Sequence, residues 1–313
     1  MSVLSKPYFH DEEAAFAHLE AVLWPDGPVC PHCGGMDRIT KIKANPAKRV
    51  RYGLHKCGTC GKQFTVKVGT VFEHGRIPLH KFLQAVHLMV CSKKGISAHQ
   101  LHRILEVQYK TAWFLAHRIR EAMRSGELVP MGSAGGIVES DETFIGTDET
   151  RTKKRWDHTH KIKVVTLVDR MAGRAKSVVI DDLKATSIGP ILRENIAKEA
   201  ILMTDEGPHY RGVGKEYARH EVVRHSLGEY GRGPFHTNTV EGYFSVFKRG
   251  MKGVYQHCSK RHMHRYLAEF DFRHSNRSAI GVEDQVRAGL ALAGIKGKRL
   301  TYRDPTAKMN RSI

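Results

Sequence analysis

The stretch Gly136-Ile-Val-Glu-Ser-Asp-Glu-Thr-Phe-Ile145 begins the part of the chain whose pattern decides the fold. It predicts a β-strand on which Ile137, Glu139, Asp141 and Thr143 share one face, because successive side chains of a strand point to opposite sides. Asp141 lies near the middle of this strand. A carboxylate in the centre of a sheet is costly unless it is paired or bound to a metal. Asp141 is therefore a candidate metal ligand.

The residues after this stretch predict three more strands and one helix. The predicted strands are 162–168, 177–180 and 200–204, and the helix lies around 188–199. The short connections between the first three strands suit an antiparallel meander. Three antiparallel strands, a helix and a further strand match the core of an RNase H-like fold, an α/β (α+β) domain with a mixed sheet. In that topology the first and fourth strands lie side by side, so Asp205, directly after the fourth strand, can converge with Asp141.

A third acid, Glu241, belongs to a predicted helix that Thr237 or Asn238 can cap. Lys248 follows Glu241 by two helical turns, so both side chains project on nearly the same side. The acid could bind a metal ion there while the ammonium group holds a DNA phosphate. Carboxylates are the ligands that Mg²⁺ prefers. Two such ions about 4 Å apart catalyse in-line displacement at phosphorus in many nucleases.

Two Cys-x-x-Cys pairs lie nearer the N-terminus, namely Cys30-Pro-His-Cys33 and Cys57-Gly-Thr-Cys60. Each pair places two thiolates on one tight turn, and two such turns facing each other supply a tetrahedral zinc site with four sulfur ligands. A redox dithiol and unrelated buried thiols are the competing interpretations, and the paired spacing argues against both. Because four cysteines leave no open position for catalysis, the predicted Zn²⁺ is structural.

The residues after this predicted zinc ribbon have a helical pattern. Apolar side chains recur at three- and four-residue steps from Leu79 to Val90, Gly95 interrupts the run, and Ser97 can cap the next helix. The last helix, over 110–124, carries basic residues outside its apolar stripe, namely Arg118, Arg120 and Arg124. A helix, a short turn and a basic helix suit a helix-turn-helix that binds DNA through these arginines. The alternative is a plain helical bundle with a solvated basic face.

The charge of the chain indicates its partner. Its 313 residues include 51 Lys+Arg against 32 Asp+Glu, which gives a formal net charge of +19. Such an excess favours a polyanion, and double-stranded DNA is the partner we expect. Two basic stretches, 151–163 and 248–265, are predicted to contact phosphates, although an ordinary solvated surface is the alternative. The residues predicted to make these contacts are Lys153, Lys154, Arg155, Arg249 and Lys252.

The sequence gives no sign of a membrane segment or a secretory signal. No apolar run is long enough to cross a bilayer, and the N-terminus turns acidic where a signal peptide would be apolar. Tightly paired cysteines suit a reducing compartment better than a disulfide framework. We therefore expect a cytoplasmic protein that does not bind membranes.

The clearest boundary falls in 125–136, which is rich in Gly, Ser and Pro. The predicted segments are 1–75 (N-terminal helix and zinc ribbon), 76–125 (helical DNA-binding segment), 126–136 (linker), 137–280 (RNase H-like domain) and 281–313 (basic C-terminal tail).

These features together resemble a known group, the bacterial insertion-sequence transposases with an N-terminal zinc ribbon and a DDE-type RNase H-like catalytic domain. The runs that carry the resemblance are CPHC, CGTC, VESDETFIG, TDEGPHY and NTVEGYFSVFKRG. The resemblance implies that Asp141, Asp205 and Glu241 bind two Mg²⁺ or Mn²⁺ ions and that Lys248 is an accessory basic residue. Some members use Asn as the third residue, so Asn238 is the alternative third ligand.

The resemblance also implies a function. The expected protein is a bacterial, nucleoid-associated enzyme that cuts at the terminal inverted repeats of an insertion sequence and joins the freed 3′ ends to target DNA. Since two ends must be brought together, we expect a homodimer or a larger assembly on DNA. Two alternatives are a non-catalytic zinc-ribbon regulator that binds DNA and a structure-selective RNase H-like nuclease. The acids argue against the regulator, and the ribbon with its helical segment argues against the nuclease.

Overall fold

The computed structural model describes residues 2–124, 126, 129–152, 159–229 and 231–301. These residues form two compact units. The first unit contains the chain up to Ser92, residues Ile96–Met123 and the chain from Asp284 onward. The second unit contains Lys93–Gly95 and Arg124–Glu283. Within the described ranges, no helix combines the length and the apolar character that crossing a bilayer requires.

Both units contain helices and strands. The helices are α1 (Glu12–Leu23), α2 (Leu79–Cys91), α3 (Ala98–Leu105), α4 (Tyr109–Met123), α5 (Ala185–Asn195), α6 (Tyr210–Val213), α7 (Asn238–Gly250), α8 (Lys260–Ser275) and α9 (Asp284–Ala293). The strands are β1 (Ile39–Lys41), β2 (His55–Cys57), β3 (Gln63–Phe64), β4 (Ile137–Ile145), β5 (Ile162–Asp169), β6 (Ala175–Ile180), β7 (Ile201–Thr204) and β8 (Arg219–Val222). Elements α1–α4, α9 and β1–β3 belong to the first unit, and the others belong to the second.

A small antiparallel sheet in the order β1-β2-β3 lies in the first unit. Ile39 of β1 pairs with Cys57 of β2. Phe64, Cys30 and Cys57 form a small buried cluster against which Trp24 packs. A core of this size cannot by itself offset the conformational entropy lost on folding, so the segment needs a metal ion to hold its structure.

Three helices of the first unit, α2, α3 and α4, pack on one another. Ser97 caps α3 as predicted, because its Oγ accepts a hydrogen bond from Gln100 N at 3.1 Å. A short turn with Glu106 in the left-handed conformation (φ 50°) leads from α3 to α4. The predicted sequence of helix, short turn and helix is therefore present.

The surface of α4 differs from the sequence-based prediction. The pattern predicts Arg120 on the surface, and this is wrong: the side chain is buried, with 2% of its area exposed. Arg118 is partly buried and Arg124 is exposed. Besides α2 and α3, α4 packs against α9, which lies inside the interval predicted as a basic tail. This helix leaves α4 with less free surface than its charge pattern indicates.

The second unit is built on a five-stranded sheet in the order β6-β5-β4-β7-β8. Strands β4, β5 and β6 form an antiparallel meander, whereas β7 and β8 continue the sheet in parallel with β4. The predicted adjacency of the first and fourth strands of this sheet is confirmed. The order third, second, first, fourth and fifth strand is that of an RNase H-like fold.

Helices cover both faces of this sheet. One face packs against α5 and α6 through buried side chains such as Val138 and Leu192. The other face packs against α7 and α8 through side chains such as Val164 and Phe247. Because side chains alternate along β4, Asp141 belongs to the α7 face while its neighbour Glu142 belongs to the α6 face.

Candidate active site

Asp141 and Asp205 lie on neighbouring strands. The parallel register pairs Glu139 on β4 with Met203 on β7. Two residues further along both strands, Asp141 comes to lie beside Asp205, which directly follows the last residue of β7. The Oδ1 atom of Asp205 accepts a hydrogen bond from Gly207 N at 2.9 Å, which orients the carboxylate in the turn. The strand register thus brings the first two acids together.

Glu241, the third predicted acid, lies on the helix that packs against β4. It lies near the start of α7, and its Oε1 atom accepts a hydrogen bond from Thr237 Oγ1 at 2.8 Å. Burial, then the charge of Glu142, and then the charges of Asp205 and Glu241 raise the pKa of Asp141 to about 7. The acids therefore share one negative field. A divalent cation would remove the repulsion between them.

A buried ion pair fixes the start of α7. Glu139 is fully buried on the α7 face of the sheet, and its carboxylate binds the guanidinium of Arg170. The Oε2 atom of Glu139 accepts a hydrogen bond from Val240 N at 2.8 Å, where the helix dipole favours a negative charge. Arg170 also donates to backbone oxygens in the loop 234–236. These contacts hold α7, and with it Glu241, against β4.

Glu142 approaches Asp205 from the other face of the sheet. Glu142, Asp205 and His209 place ligand atoms within 4.8 Å of one another. The Oε1 atom of Glu142 accepts a hydrogen bond from Tyr210 Oη and lies 3.1 Å from His209 Nε2. Burial acts to lower the pKa of His209, but the hydrogen bond and the charge of Glu142, with the charges of the nearby aspartates, raise it overall. Of the three predicted acids, Asp205 belongs to this group, whereas Asp141 and Glu241 do not bring ligand atoms as close to the others.

The other predicted residues of this site lie on or near α7. Asn238, the alternative third ligand, is exposed at the first position of α7. Lys248 is partly buried, and its Nζ atom lies 5.9 Å from the centroid of the Phe244 ring. Arg249 and Lys252 are exposed. The predicted phosphate contacts Lys153, Lys154 and Arg155 lie outside the described residues.

Four cysteine sulfurs converge in the first unit. The Sγ atoms of Cys30 and Cys60 are 3.7 Å apart, as are those of Cys33 and Cys57. Zinc–sulfur bonds of about 2.3 Å give a tetrahedron with edges of about 3.8 Å, so the spacing fits a zinc ion. The strongest influence on Cys57 is a hydrogen bond from the backbone of Cys60, and the pKa of this thiol is lowered to about 6. A backbone hydrogen bond from Gly35 acts to lower the pKa of Cys33, but the neighbouring thiols and burial raise it to about 12 overall. A zinc ion in the cluster would favour the thiolate form of all four sulfurs.

Comparisons with known proteins match parts of both units. The family model described as ISXO2-like transposase domain matches residues 133–275, and the model described as transposase zinc-ribbon domain matches residues 10–63. The chain belongs to the zinc-ribbon insertion-sequence transposases. The chain is 26% identical over 286 residues to the uncharacterized protein in transposable element ISH50 of Halobacterium salinarum, an alignment that covers 85% of this chain and 91% of the relative. The four-cysteine cluster is thus the site of a zinc ribbon.

A solved structure also shows a weak likeness to this chain. It is the cryoEM structure of the simian T-cell lymphotropic virus intasome in complex with PP2A regulatory subunit B56 gamma. The matched chain is 14% identical, with a TM-score of 0.30. The match covers 61% of this protein and 65% of the matched chain, just under two thirds of the length of that chain.

Sequence reasoning did not identify Glu142, His209 or the role of Glu139. Glu142 and His209 lie inside the runs VESDETFIG and TDEGPHY. Their closeness in sequence to Asp141 and Asp205 is the feature from which they could have been predicted. Glu139 shares a strand face with Asp141, and a second acid on a buried face indicates a partner. Arg170 follows the end of β5, and no local pattern there indicates that it reaches the loop before α7.

Proposed function

We propose that this protein is a DNA transposase that binds the terminal inverted repeats of its insertion sequence and catalyses metal-dependent strand cleavage and strand transfer. The observation that supports the proposal is the strand register that sets Asp141 beside Asp205, with the charge of Glu241 on α7 acting on Asp141. A fold of this kind hosts several functions, so the activity has to be argued from this site.

The donor atoms at the site suit a hard divalent cation. Carboxylate oxygens are the ligands that Mg²⁺ prefers, and Mn²⁺ also accepts an imidazole nitrogen such as that of His209. We assign Asp141, Asp205 and Glu241 as the residues that would hold two Mg²⁺ or Mn²⁺ ions, with Asn238 as the alternative to Glu241. When bound, such ions activate a water molecule or a DNA 3′-hydroxyl and stabilise the leaving oxygen of a displacement at phosphorus.

Other side chains act by position and charge. Glu139 and Arg170 hold the first turn of α7 against β4. Tyr210 donates to Glu142 and fixes that carboxylate next to His209. Lys248 lies two helical turns beyond Glu241 and supplies a positive charge for a DNA phosphate.

Duplex DNA is the proposed partner, both as transposon ends and as target. The net charge of +19 favours a polyanion. Exposed Arg124, Arg249 and Lys252 are proposed as phosphate contacts, together with Lys153, Lys154 and Arg155. Joining two ends requires a homodimer or a larger assembly on DNA, and we propose that it works in the bacterial cytoplasm at the nucleoid.

The test uses zinc-loaded full-length protein and a labelled duplex that carries the terminal repeat from the flanking DNA of the gene. With added Mg²⁺ or Mn²⁺, the wild type is expected to cut the repeat end and join it to a target plasmid. Asp141→Asn and Asp205→Asn should bind the duplex and show no cleavage. Glu194→Gln, which removes an exposed acid on α5, is the matched control and should retain both steps.

Three outcomes would overturn the proposal. Strand joining by both aspartate variants would show that these carboxylates are not needed. Specific binding by the wild type without cleavage under either metal would indicate a DNA-binding regulator. Cleavage of branched DNA without preference for the repeat would indicate a structure-selective nuclease.

A further inference from the structure

One side of α4 lines an open groove within the first unit. The groove has a volume of about 340 Å³ and is bounded on its other side by residues 74–77. On α4 it is lined by Lys110, Phe114 and Arg118, which recur every four residues and therefore share one helix face. After its first turn, α4 is largely buried elsewhere, so this is the part of the helix that a large ligand can reach.

The groove is positively charged. Arg76, Lys110 and Arg118 line it, and in the described ranges none of them forms an ion pair with an acid. Lys67 lies beside them and donates a hydrogen bond from Nζ to Gly75 O at 3.1 Å. Unpaired cations that converge on an open groove repel one another, and an anionic ligand would remove that repulsion.

Arg118 is the most buried of the three cations in the groove. Its guanidinium carbon lies 4.8 Å from the centroid of the Phe114 ring, an arrangement that holds the planar group in one orientation. Its Nε atom is buried and has no hydrogen-bond partner in the described part of the chain. A buried N–H without an acceptor costs its desolvation, so such groups are nearly always paired. The side chain as a whole is partly exposed and lines the groove, so an anionic ligand there can approach the guanidinium group.

The geometry points to this groove as the seat of a phosphate of the duplex DNA backbone, held by Arg118 with Lys110 and Arg76 at its edges. The guanidinium fork matches the oxygens of a phosphate, and Phe114 lies on the same wall of the groove as Arg118. The inference rests on the proposed function, since that function supplies the DNA.

A phosphate contact has a signature that separates it from base recognition. Phosphates are the same in every sequence, so they contribute affinity and register without sequence choice. Each contact also releases counterions, and the slope of log K against log salt changes by about 0.9 for each one. A variant that loses the contact should thus weaken binding equally on any duplex and show a shallower salt dependence.

The experiment measures fluorescence anisotropy of labelled duplexes with zinc-loaded full-length protein, without added Mg²⁺ or Mn²⁺, over a range of salt concentrations. One duplex carries the terminal repeat and the other a scrambled sequence. Arg118→Ala is expected to weaken binding about tenfold on both duplexes and to reduce the slope by about 0.9. Arg118→Lys keeps the charge without the fork, so it should restore the slope but only part of the affinity.

Two further variants keep the test decisive. Lys110→Ala removes an exposed side chain at the start of α4, so folding should be unaffected while the slope again falls. Arg193→Ala is the control, because that guanidinium already pairs with Glu216 at 2.7 Å and its loss should leave the slope unchanged. Zinc content and thermal unfolding show whether Arg118→Ala is folded.

Unchanged slopes in the Arg118 and Lys110 variants would overturn the inference. A loss confined to the terminal-repeat duplex would also overturn it, since the groove would then recognise bases. Neither result would touch the proposed function, because strand joining by the wild type is measured separately. Conversely, loss of strand joining in Asp141→Asn says nothing about the groove.

Discussion

Replacing Asp141 by asparagine is expected to stabilise the metal-free protein while abolishing strand transfer. The pKa of Asp141 is raised to about 7 by burial and by the charges of Glu142, Asp205 and Glu241. Asparagine cannot ionise, so it avoids both the cost of burying a charge and the repulsion from the neighbouring carboxylates. Its Oδ1 atom can still accept the hydrogen bond that Glu142 N makes with Asp141 at 2.7 Å. The substitution therefore removes a charge without removing a backbone contact.

The size of the effect follows from linkage between protonation and folding. Each pKa unit corresponds to about 1.4 kcal/mol, so a rise from about 4 in the unfolded chain to about 7 in the folded chain costs about 4 kcal/mol once Asp141 is fully ionised. Between these values the native state binds more protons than the unfolded state, and stability falls as pH rises. The variant should match the wild type near pH 4 and exceed it by up to about 4 kcal/mol at pH 8.

Hydrogen exchange of the β5 amides reports the unfolding of the second unit and is the assay of choice. It should be run at pH 5 and pH 8 on zinc-loaded protein without added Mg²⁺ or Mn²⁺. Asp271→Asn is the matched control, since burial raises the pKa of Asp271 to about 6. That carboxylate accepts hydrogen bonds from Ser177 N, Ser177 Oγ and Tyr243 Oη, so its amide variant should be less stable than the wild type.

Added Mn²⁺ provides the second half of the test. A ligand that binds the native state raises its stability according to concentration, so the wild type should gain protection with Mn²⁺ and Asp141→Asn should not. Equal stability of the variant and the wild type at pH 8 would refute the electrostatic reasoning. An equal gain of both proteins with Mn²⁺ would refute the assignment of Asp141 as a ligand.

The remaining predictions concern the supports of the two metal sites. Glu139→Gln should destabilise the second unit by about 3–5 kcal/mol, because it leaves the partly buried Arg170 without its charged partner, and it should also weaken Mn²⁺ binding measured by calorimetry. The control Glu269→Gln breaks the buried pair of Glu269 with Arg273 on α8, so it should lower stability and leave the Mn²⁺ affinity unchanged. Equal losses of Mn²⁺ affinity in the Glu139 and Glu269 variants would contradict a positioning role for Glu139. Cys57→Ser should lower the zinc content and unfold β1–β3, while the β5 amides keep their protection from exchange. The control Cys91→Ser, outside the ribbon, should keep its zinc, and a zinc content unaffected by Cys57→Ser would contradict the four-sulfur site.

Patterns along the chain predicted the architecture of the second unit well. The predicted strands 136–145, 162–168 and 200–204 each differ from β4, β5 and β7 by a single residue at one end. Strands buried on both faces have long apolar runs, and polar residues interrupt these runs where a site is needed. Asp141 and Asp205 were therefore visible in the sequence as acids in and after such strands.

Contacts between distant elements were not predictable in the same way. Arg120 has the spacing of an exposed helical arginine, and its burial depends on packing within the first unit that includes α9, far along the chain. Arg170 follows β5 but binds Glu139 and the loop before α7, and a strand pattern carries no information about that partner. Periodicity predicts which face of an element is buried, whereas the partner across that face depends on the tertiary fold.

We expect Glu241 rather than Asn238 to be the third ligand, for a reason that lies in the same contacts. Glu139 holds the first turn of α7 in place through Val240 N, and Thr237 Oγ1 holds the Glu241 carboxylate at 2.8 Å. Glu241 also contributes to the raised pKa of Asp141, which places its charge in the acidic field. A ligand that is already in position loses less conformational freedom when the ion binds. Glu241→Gln should therefore weaken Mn²⁺ binding by calorimetry more than Asn238→Ala, and the reverse order would assign the third ligand to Asn238.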